Sequence, residues 1–246
     1  MAVLNNTGIR AGASAAGGGG GDLTIEKSLI FSQYEDTYMT RTPSGAGNRK
    51  TFTWSFWYKK SRSTSWTHII GVDSSSAERQ HIRWLDKDQI EVYFISSSNQ
   101  QLVLTPTRKF EDEHAWMHMV LAVDTNQATA SDRAKFYING VQETVFGQAT
   151  YPSRYDDTQV NNTIQHIIGK RGYDGNSKLN AKLAEVHQID GLALEPTSFG
   201  KFDATTGVWV PIEYTGGHGT NGYHLDFKDD STITALGYDV SGNNNH

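Results

Sequence analysis

Metal ligands, nucleophiles and paired carboxylates set the limits on what this chemistry could be. The chain of 246 residues has nine histidines and no cysteine. His114 and His118 are four apart, a spacing that chelates one ion on a helix. On a strand the same four residues span about 13 Å, and the run WMHMVLAV after Ala115 reads as a strand. His118 is therefore expected to be a packed or hydrogen-bonded strand residue. The absence of cysteine removes disulfides, thiolate zinc sites and thiol nucleophiles. Asp156, Asp157 and Asp174 are loop carboxylates of the kind calcium takes, but none completes a loop with ligand spacing. No metal ligand is assigned, and calcium has only these three candidates. Glu111-Asp112-Glu113 is contiguous, so a strand would send its side chains to alternate faces; it reads as a solvated loop ahead of Trp116. Gly217, Gly219 and Gly222 spell G-x-G-x-x-G, yet the nucleotide-binding form needs a strand before it and a helix after it. Tyr223 to Phe227 alternates as a strand, so no nucleotide site is expected. No G-x-S-x-G elbow offers a serine nucleophile.

What remains is binding. Tyr151, Tyr155, Tyr173 and Trp209 fall in turn-rich stretches, where aromatic side chains stack on sugar rings or dock a partner. The elements that must position them read as strands. In TFTWSFWYKK, Phe52, Trp54, Phe56 and Tyr58 share one face, and Thr51, Thr53, Ser55 and Trp57 the other; the larger aromatic face should enter the core. Trp54, Trp57, Trp84 and Trp116 are expected in core or inter-sheet packing. His81 to Leu85 and Gln89 to Ile95 suit a hairpin across Asp86-Lys87-Asp88. Asn139-Gly140 suits a type I′ turn, because both residues tolerate positive φ. Tyr151 to Asn162 reads as a surface loop and Lys170 to Lys178 as an exposed one. In KLAEVHQIDGLALEP, Leu183, Glu185, His187 and Ile189 are expected on one face, with Asp190-Gly191 ending the strand.

Composition agrees with a β-rich chain. Glycine is abundant, proline sparse, and aromatics are 11% of residues. The length suits one large sandwich. A formal charge of -5 leaves no basic footprint for nucleic acid, and no apolar run is long enough for a membrane-spanning helix. The N-terminus has no basic region leading into an apolar core, so it does not read as a secretory signal. Residues 1–22 contain five consecutive glycines, Gly17 to Gly21, and are expected to be a flexible or docking arm, with Val3, Leu4 and Ile9 as its apolar grip. Residues 23–200 are expected to form the sandwich, and 201–246 an extension packed on it or leading out of it. The polar run LGYDVSGNNNH suggests a chain that continues.

Several runs resemble the concanavalin A-like, laminin-G-type jelly-roll family, in family order over roughly residues 28–196. Phe52, Thr53, Ser55, Trp57 and Lys59 match its "F-T-x-S-x-W-x-K" strand. Trp116, His118, Val120 and Asp124 match "W-x-H-V-A-x-x-x-D", and Tyr137, Asn139 and Gly140 match "Y-x-N-G". SLIFSQYEDTYMTRTP is similar to its opening hairpin, with a turn near Glu35-Asp36. The resemblance implies an all-β, two-sheet antiparallel jelly roll with an extended N-terminal arm. Enzymes of this superfamily carry "E-x-D-x-x-E" on one strand, which sets two carboxylates at short separation; this chain has no such run, and no enzymatic activity is expected.

A second resemblance is to a segment that follows the laminin-G-like domain in bacteriophage structural proteins. Pro196, Phe199, Gly200, Gly207, Trp209, Pro211, Tyr214, Thr215, Gly216, Gly219, Asn221 and Gly222 carry it. The arm also resembles the starts of proteins of short-tailed phages, marine or cyanobacterial ones among them. These resemblances imply a virion structural protein: a tail fibre, appendage, knob or capsid decoration. Its expected partners are other virion proteins, further copies of itself, and host surface glycans, with no nucleic acid and no membrane. An independent carbohydrate-binding adhesin is the alternative, and a glycoside hydrolase a third reading.

Overall fold

A computed structural model describes residues 22–61, 66–86 and 88–246, together with the backbone of Val3–Leu4. Ile9 and the glycine run lie outside the described residues. In chain order the strands are Val3–Leu4 (β1), Leu29–Phe31 (β2), Met39–Arg41 (β3), Thr51–Lys60 (β4), Thr67–Ser75 (β5), Glu78–Trp84 (β6), Ile90–Ser96 (β7) and Asn99–Pro106 (β8). Then come Trp116–Asp124 (β9), Ala134–Ile138 (β10), Val141–Gln142 (β11), Phe146–Thr150 (β12), His166–Ile168 (β13), Ala181–Asp190 (β14), Gly200–Phe202 (β15), Trp209–Pro211 (β16) and Tyr223–Leu225 (β17). One eight-stranded sheet runs β1-β2-β14-β4-β9-β10-β11, with β17 also paired to β14; a seven-stranded sheet runs β12-β8-β7-β6-β5-β13-β3. Every strand pairing among the described residues is antiparallel. The result is the two-sheet all-β sandwich the sequence implies.

Alternation decides the core. Phe52, Trp54, Phe56 and Tyr58 of β4 meet Ile82 and Trp84 of β6 and Val92 and Phe94 of β7, all buried. The Asn139-Gly140 turn has positive φ at both residues, 50° and 78°, as the type I′ geometry demands. A Cβ on Gly140 would stand 2.3 Å from the Trp209 ring, so the turn is also pressed against the extension.

Three expectations need correction. Leu29–Phe31 and Met39–Arg41 do not form a hairpin: β2 belongs to one sheet and β3 to the other. The turn at Glu35-Asp36 carries the chain across the open edge of the sandwich. Tyr151 to Asn162 is not a simple surface loop, because Val160 and Asn161 within it are wholly buried. Asn161 Nδ2 donates to Asn48 O and to Asp190 Oδ1, which ties the loop to one end of the sandwich. Third, Leu183 does not share a face with Glu185, His187 and Ile189. The β14–β4 register slips between Ala184 and His187, and Glu185 sits there at φ 47°. One extra residue at a bulge reverses the parity of the residues after it. Leu183 and Val186 therefore both enter the main core, while Glu185, His187 and Ile189 point to the opposite face.

That opposite face is covered. Residues 196–218 and 23–25 lie over the outer side of the eight-stranded sheet and bury a second apolar layer. Val120, Ala122, Tyr137 and Ile189 pack with Phe199, and Ile25, Trp57 and Ala184 pack with Trp209. Burial on both faces explains why β4, β9 and β14 read as nearly continuous buried runs. Beyond this cover, β17 returns to pair with β14. Among the described residues no helix is long and apolar enough to cross a membrane.

Candidate functional site

The extension docks through a polar hub at the end of β14. Asp190 accepts hydrogen bonds from Asn48 N at 2.7 Å and Asn161 Nδ2 at 3.0 Å on Oδ1, and from Asn221 N at 3.0 Å on Oδ2. A Cβ on Gly222 would fall 1.8 Å from His218 O, so only glycine fits there. Asn221 and Gly222 thus join the extension to the sandwich. This docking leads the chain back through β17 and then through residues 233–246, which roof the open edge between the sheets.

The roof encloses a cleft of about 430 Å³. One wall is Leu29 of β2 with Tyr223 and Leu225 of β17. The other is Thr37 to Arg41 with His166 to Ile168 of β13, and Ile233 to Tyr238 with Asn245 and His246 close the top. The volume lies within the range of small-ligand sites. The lining is mostly apolar and carries two accessible tyrosines, Tyr38 at 45% and Tyr238 at 43% exposure. Lys170 Nζ lies 3.2 Å from the centroid of the Tyr38 ring, and the Tyr238 and His246 rings are 4.9 Å apart.

Polar groups converge on the same space. Arg41 donates to Asn221 O at 3.1 Å and to Asn245 Oδ1. Thr37 Oγ1 is buried and has no hydrogen-bond partner. His166 is fully engaged: Nε2 accepts from Asn161 N at 3.0 Å and Nδ1 donates to Ile164 O at 2.9 Å. Burial pushes its pKa down to about 4, so it is a neutral wall group at physiological pH. Asp36 is the one carboxylate among the lining residues, and its Oδ1 lies 3.2 Å from Lys178 Nζ and 3.6 Å from Lys170 Nζ.

The sequence-derived aromatic candidates do not converge. Tyr151 is half-buried and packs on the main core. Tyr155 is exposed, at φ 70°, beside Arg154. Tyr173 is half-buried and accepts from Arg79 Nη1 at 3.2 Å. Trp209 must be withdrawn as a surface contact. It is only 7% exposed, lies in β16, and donates its indole N–H to His118 Nδ1 at 3.1 Å. His118 in turn bonds Ser55 Oγ through Nε2 at 2.9 Å, as a packed strand histidine should. The backbone of Val3–Leu4 pairs with Leu29–Ile30 at the edge of the eight-stranded sheet. The calcium candidates are spent locally. Asp156 accepts from Ser153 N, Asp157 faces Arg49 and Lys50, and Asp174 is paired with Arg171.

Two clusters, which sequence spacing did not disclose, each bring three ligand-type side-chain atoms within 4.8 Å of one another. One joins His187, His218 and His224 on the outer side of the eight-stranded sheet. His224 Nε2 lies 2.7 Å from Glu185 Oε2, and His187 Nδ1 lies 3.1 Å from His218 Nε2. The bulge places Glu185 and His187 side by side there. Burial lowers the pKa of His187, and burial followed by the charge of His224 takes His218 to about 4. The rings of His187 and His224 stack in near-parallel planes 3.9 Å apart. The other cluster is His68, Asp73 and His81 on the seven-stranded sheet.

The fold and its edge cleft define a lectin-type β-sandwich, and comparison with known proteins agrees. Residues 33–198 match the family model Laminin_G_3, described as the concanavalin A-like lectin/glucanases superfamily. The chain belongs to this family. No curated protein matches it. Among solved structures, it is similar to domain 4 of AbnA, a GH43 extracellular arabinanase from Geobacillus stearothermophilus, in complex with arabinotriose. Identity is 18% and the TM-score 0.51, covering 80% of this chain and 84% of that one. It is also similar to the NanB sialidase of Streptococcus pneumoniae in a K499G mutant, at 12% identity and TM-score 0.51, over 73% of this chain and 29% of that one. The enzymatically active domain of tailspike protein 2 from bacteriophage CBA120 matches at 9% identity and TM-score 0.50, over 71% and 26%. At these identities the likeness is one of fold.

Proposed function

We propose that this protein is a glycan-binding module of a bacteriophage virion appendage, and that the edge cleft is where it takes its sugar. The single observation that carries the glycan reading is the cleft itself. Tyr38 and Tyr238 supply accessible faces for stacking on pyranose or furanose rings, and Arg41 and the unpartnered Thr37 hydroxyl supply hydrogen bonds. The virion reading rests on the run from Pro196 to Gly222, whose Asn221 and Gly222 hold the sandwich and extension together.

The module binds without cleaving. Glycoside hydrolysis needs two carboxyl groups about 5–10 Å apart across the scissile bond. The cleft lining offers Asp36 alone, beside two lysines. Residues 1–22 are the part that would attach the module to the particle, in a homo-oligomer with its own copies.

The test is a glycan array probed with the full chain, followed by titration of the bound sugars against Tyr38→Ala and Tyr238→Ala. Each variant is expected to weaken binding about tenfold. Binding unchanged by both would remove the cleft from the reading, and release of reducing sugar would overturn the non-catalytic assignment. Particle incorporation of chains with and without residues 1–22 tests the virion role separately.

A further inference from the structure

We propose that His68, Asp73 and His81 form a transition-metal site, of the zinc class, on the outer face of the seven-stranded sheet. The three residues come from adjacent antiparallel strands: His68 and Asp73 from β5, His81 from β6. Their ligand atoms all lie within 4.8 Å of one another, and all three residues are buried.

The distances suit one small ion. His81 Nδ1 is 3.1 Å from Asp73 Oδ1, and His68 Nδ1 is 3.7 Å from Asp73 Oδ2. Two ligands bound at about 2.0–2.2 Å to a tetrahedral ion sit about 3.3 Å apart, so the observed separations bracket that edge. Two imidazoles and a carboxylate suit zinc or cobalt, whereas calcium seeks six to eight oxygens.

Unsatisfied polarity points the same way. His68 Nδ1, one of the three ligand atoms, is buried without a hydrogen-bond partner, although buried polar atoms are normally paired. Asp73 is held in place by backbone donors, Gln80 N at 3.2 Å to Oδ1 and Gly172 N at 3.1 Å to Oδ2. The guanidinium groups nearby are engaged elsewhere: Arg83 pairs with Glu91 at 2.6 Å and Arg171 with Asp174. The carboxylate charge thus faces two imidazoles that desolvation, and for His81 also the adjacent His68, keep neutral. Burial would raise the Asp73 pKa, but the two imidazoles beside it outweigh that and hold it well below the usual carboxylate range.

The experiment strips the full chain with a chelator and titrates it with Zn²⁺, then with Co²⁺ as a visible reporter. One ion per chain is expected, with a rise in Tm and the absorption of tetrahedral Co²⁺. His81→Gln and Asp73→Asn should each weaken uptake by more than about a hundredfold, beyond what loss of a supporting contact costs. His114→Gln, exposed and outside both clusters, should leave uptake unchanged. The inference fails if the folded, stripped wild type takes up neither ion. It fails equally if uptake survives in His81→Gln or disappears in His114→Gln. Should both ligand variants unfold, the wild type still decides. An octahedral Co²⁺ spectrum, or no zinc-dependent rise in Tm, would overturn the site.

Discussion

Trp209 Nε1 donates to His118 Nδ1 across 3.1 Å. The bond fixes the tautomer of His118: Nδ1 accepts, so Nε2 carries the proton and donates to Ser55 Oγ at 2.9 Å. Burial pushes the pKa of this histidine down to about 3, in keeping with a neutral ring inside a closed chain of donors. A residue of the extension thereby satisfies a buried histidine on the covered outer face of the eight-stranded sheet.

Trp209→Phe should keep much of the packing and lose the donor. We expect a loss of about 1–2 kcal/mol, and about 3–5 kcal/mol for Trp209→Ala. Urea unfolding measures both. A Trp209→Phe variant as stable as the wild type would show that the indole N–H contributes nothing.

Asp190→Ala removes the acceptor for three groups drawn from residues 48, 161 and 221. A cost of about 3 kcal/mol is expected from the stranded donors. Limited proteolysis should then cut between Gly216 and Gly222 first. Wild-type resistance of this segment in the variant would contradict the hub.

Thr37→Val separates binding from folding. The substitution keeps the shape and removes a buried hydroxyl that has no partner. Stability should be unchanged or higher by about 1 kcal/mol, while affinity for a cleft-bound glycan falls up to tenfold. A destabilised variant with normal affinity would mean that Thr37 serves the fold rather than a ligand.

Acid should weaken the protein well above the carboxylate range. His118 and His166 have folded pKa values of about 3 and about 4, below the ordinary 6.5, because burial disfavours their charged forms. Between about 6.5 and about 4 the unfolded chain binds more protons than the folded one, so stability rises with pH across that window. It is fully present above 6.5 and declines as pH falls. The urea midpoint should drop between neutral pH and about pH 5, and His166→Gln should flatten the decline. A midpoint independent of pH over that interval would contradict the buried neutral state.

Local chemistry made much of this protein readable from its residues. The alternation of Phe52, Trp54, Phe56 and Tyr58 is enough to name a core face, because strand side chains repeat every two residues. Asn139-Gly140 names a hairpin because few other pairs accept positive φ twice. His118 is legible as a strand residue by the same periodicity.

Other features arise between residues far apart in the chain, and no local pattern encodes them. The bulge at Glu185 inserts one residue into an otherwise regular alternation, which shifts His187 and Ile189 out of the main core. Its signal is a backbone angle, not a residue type. Trp209 looks like a loop aromatic until the extension is seen to fold back over β9. Tyr38 and Tyr238 face one cleft although two hundred positions separate them. His68, Asp73 and His81 meet because β5 and β6 pair in a register that sets Gly71 opposite His81. Periodicity and turn chemistry thus determined the strands and the main core. Tertiary packing alone, through long-range pairing and burial of the second sheet face, decided which polar groups come together and which aromatics remain accessible.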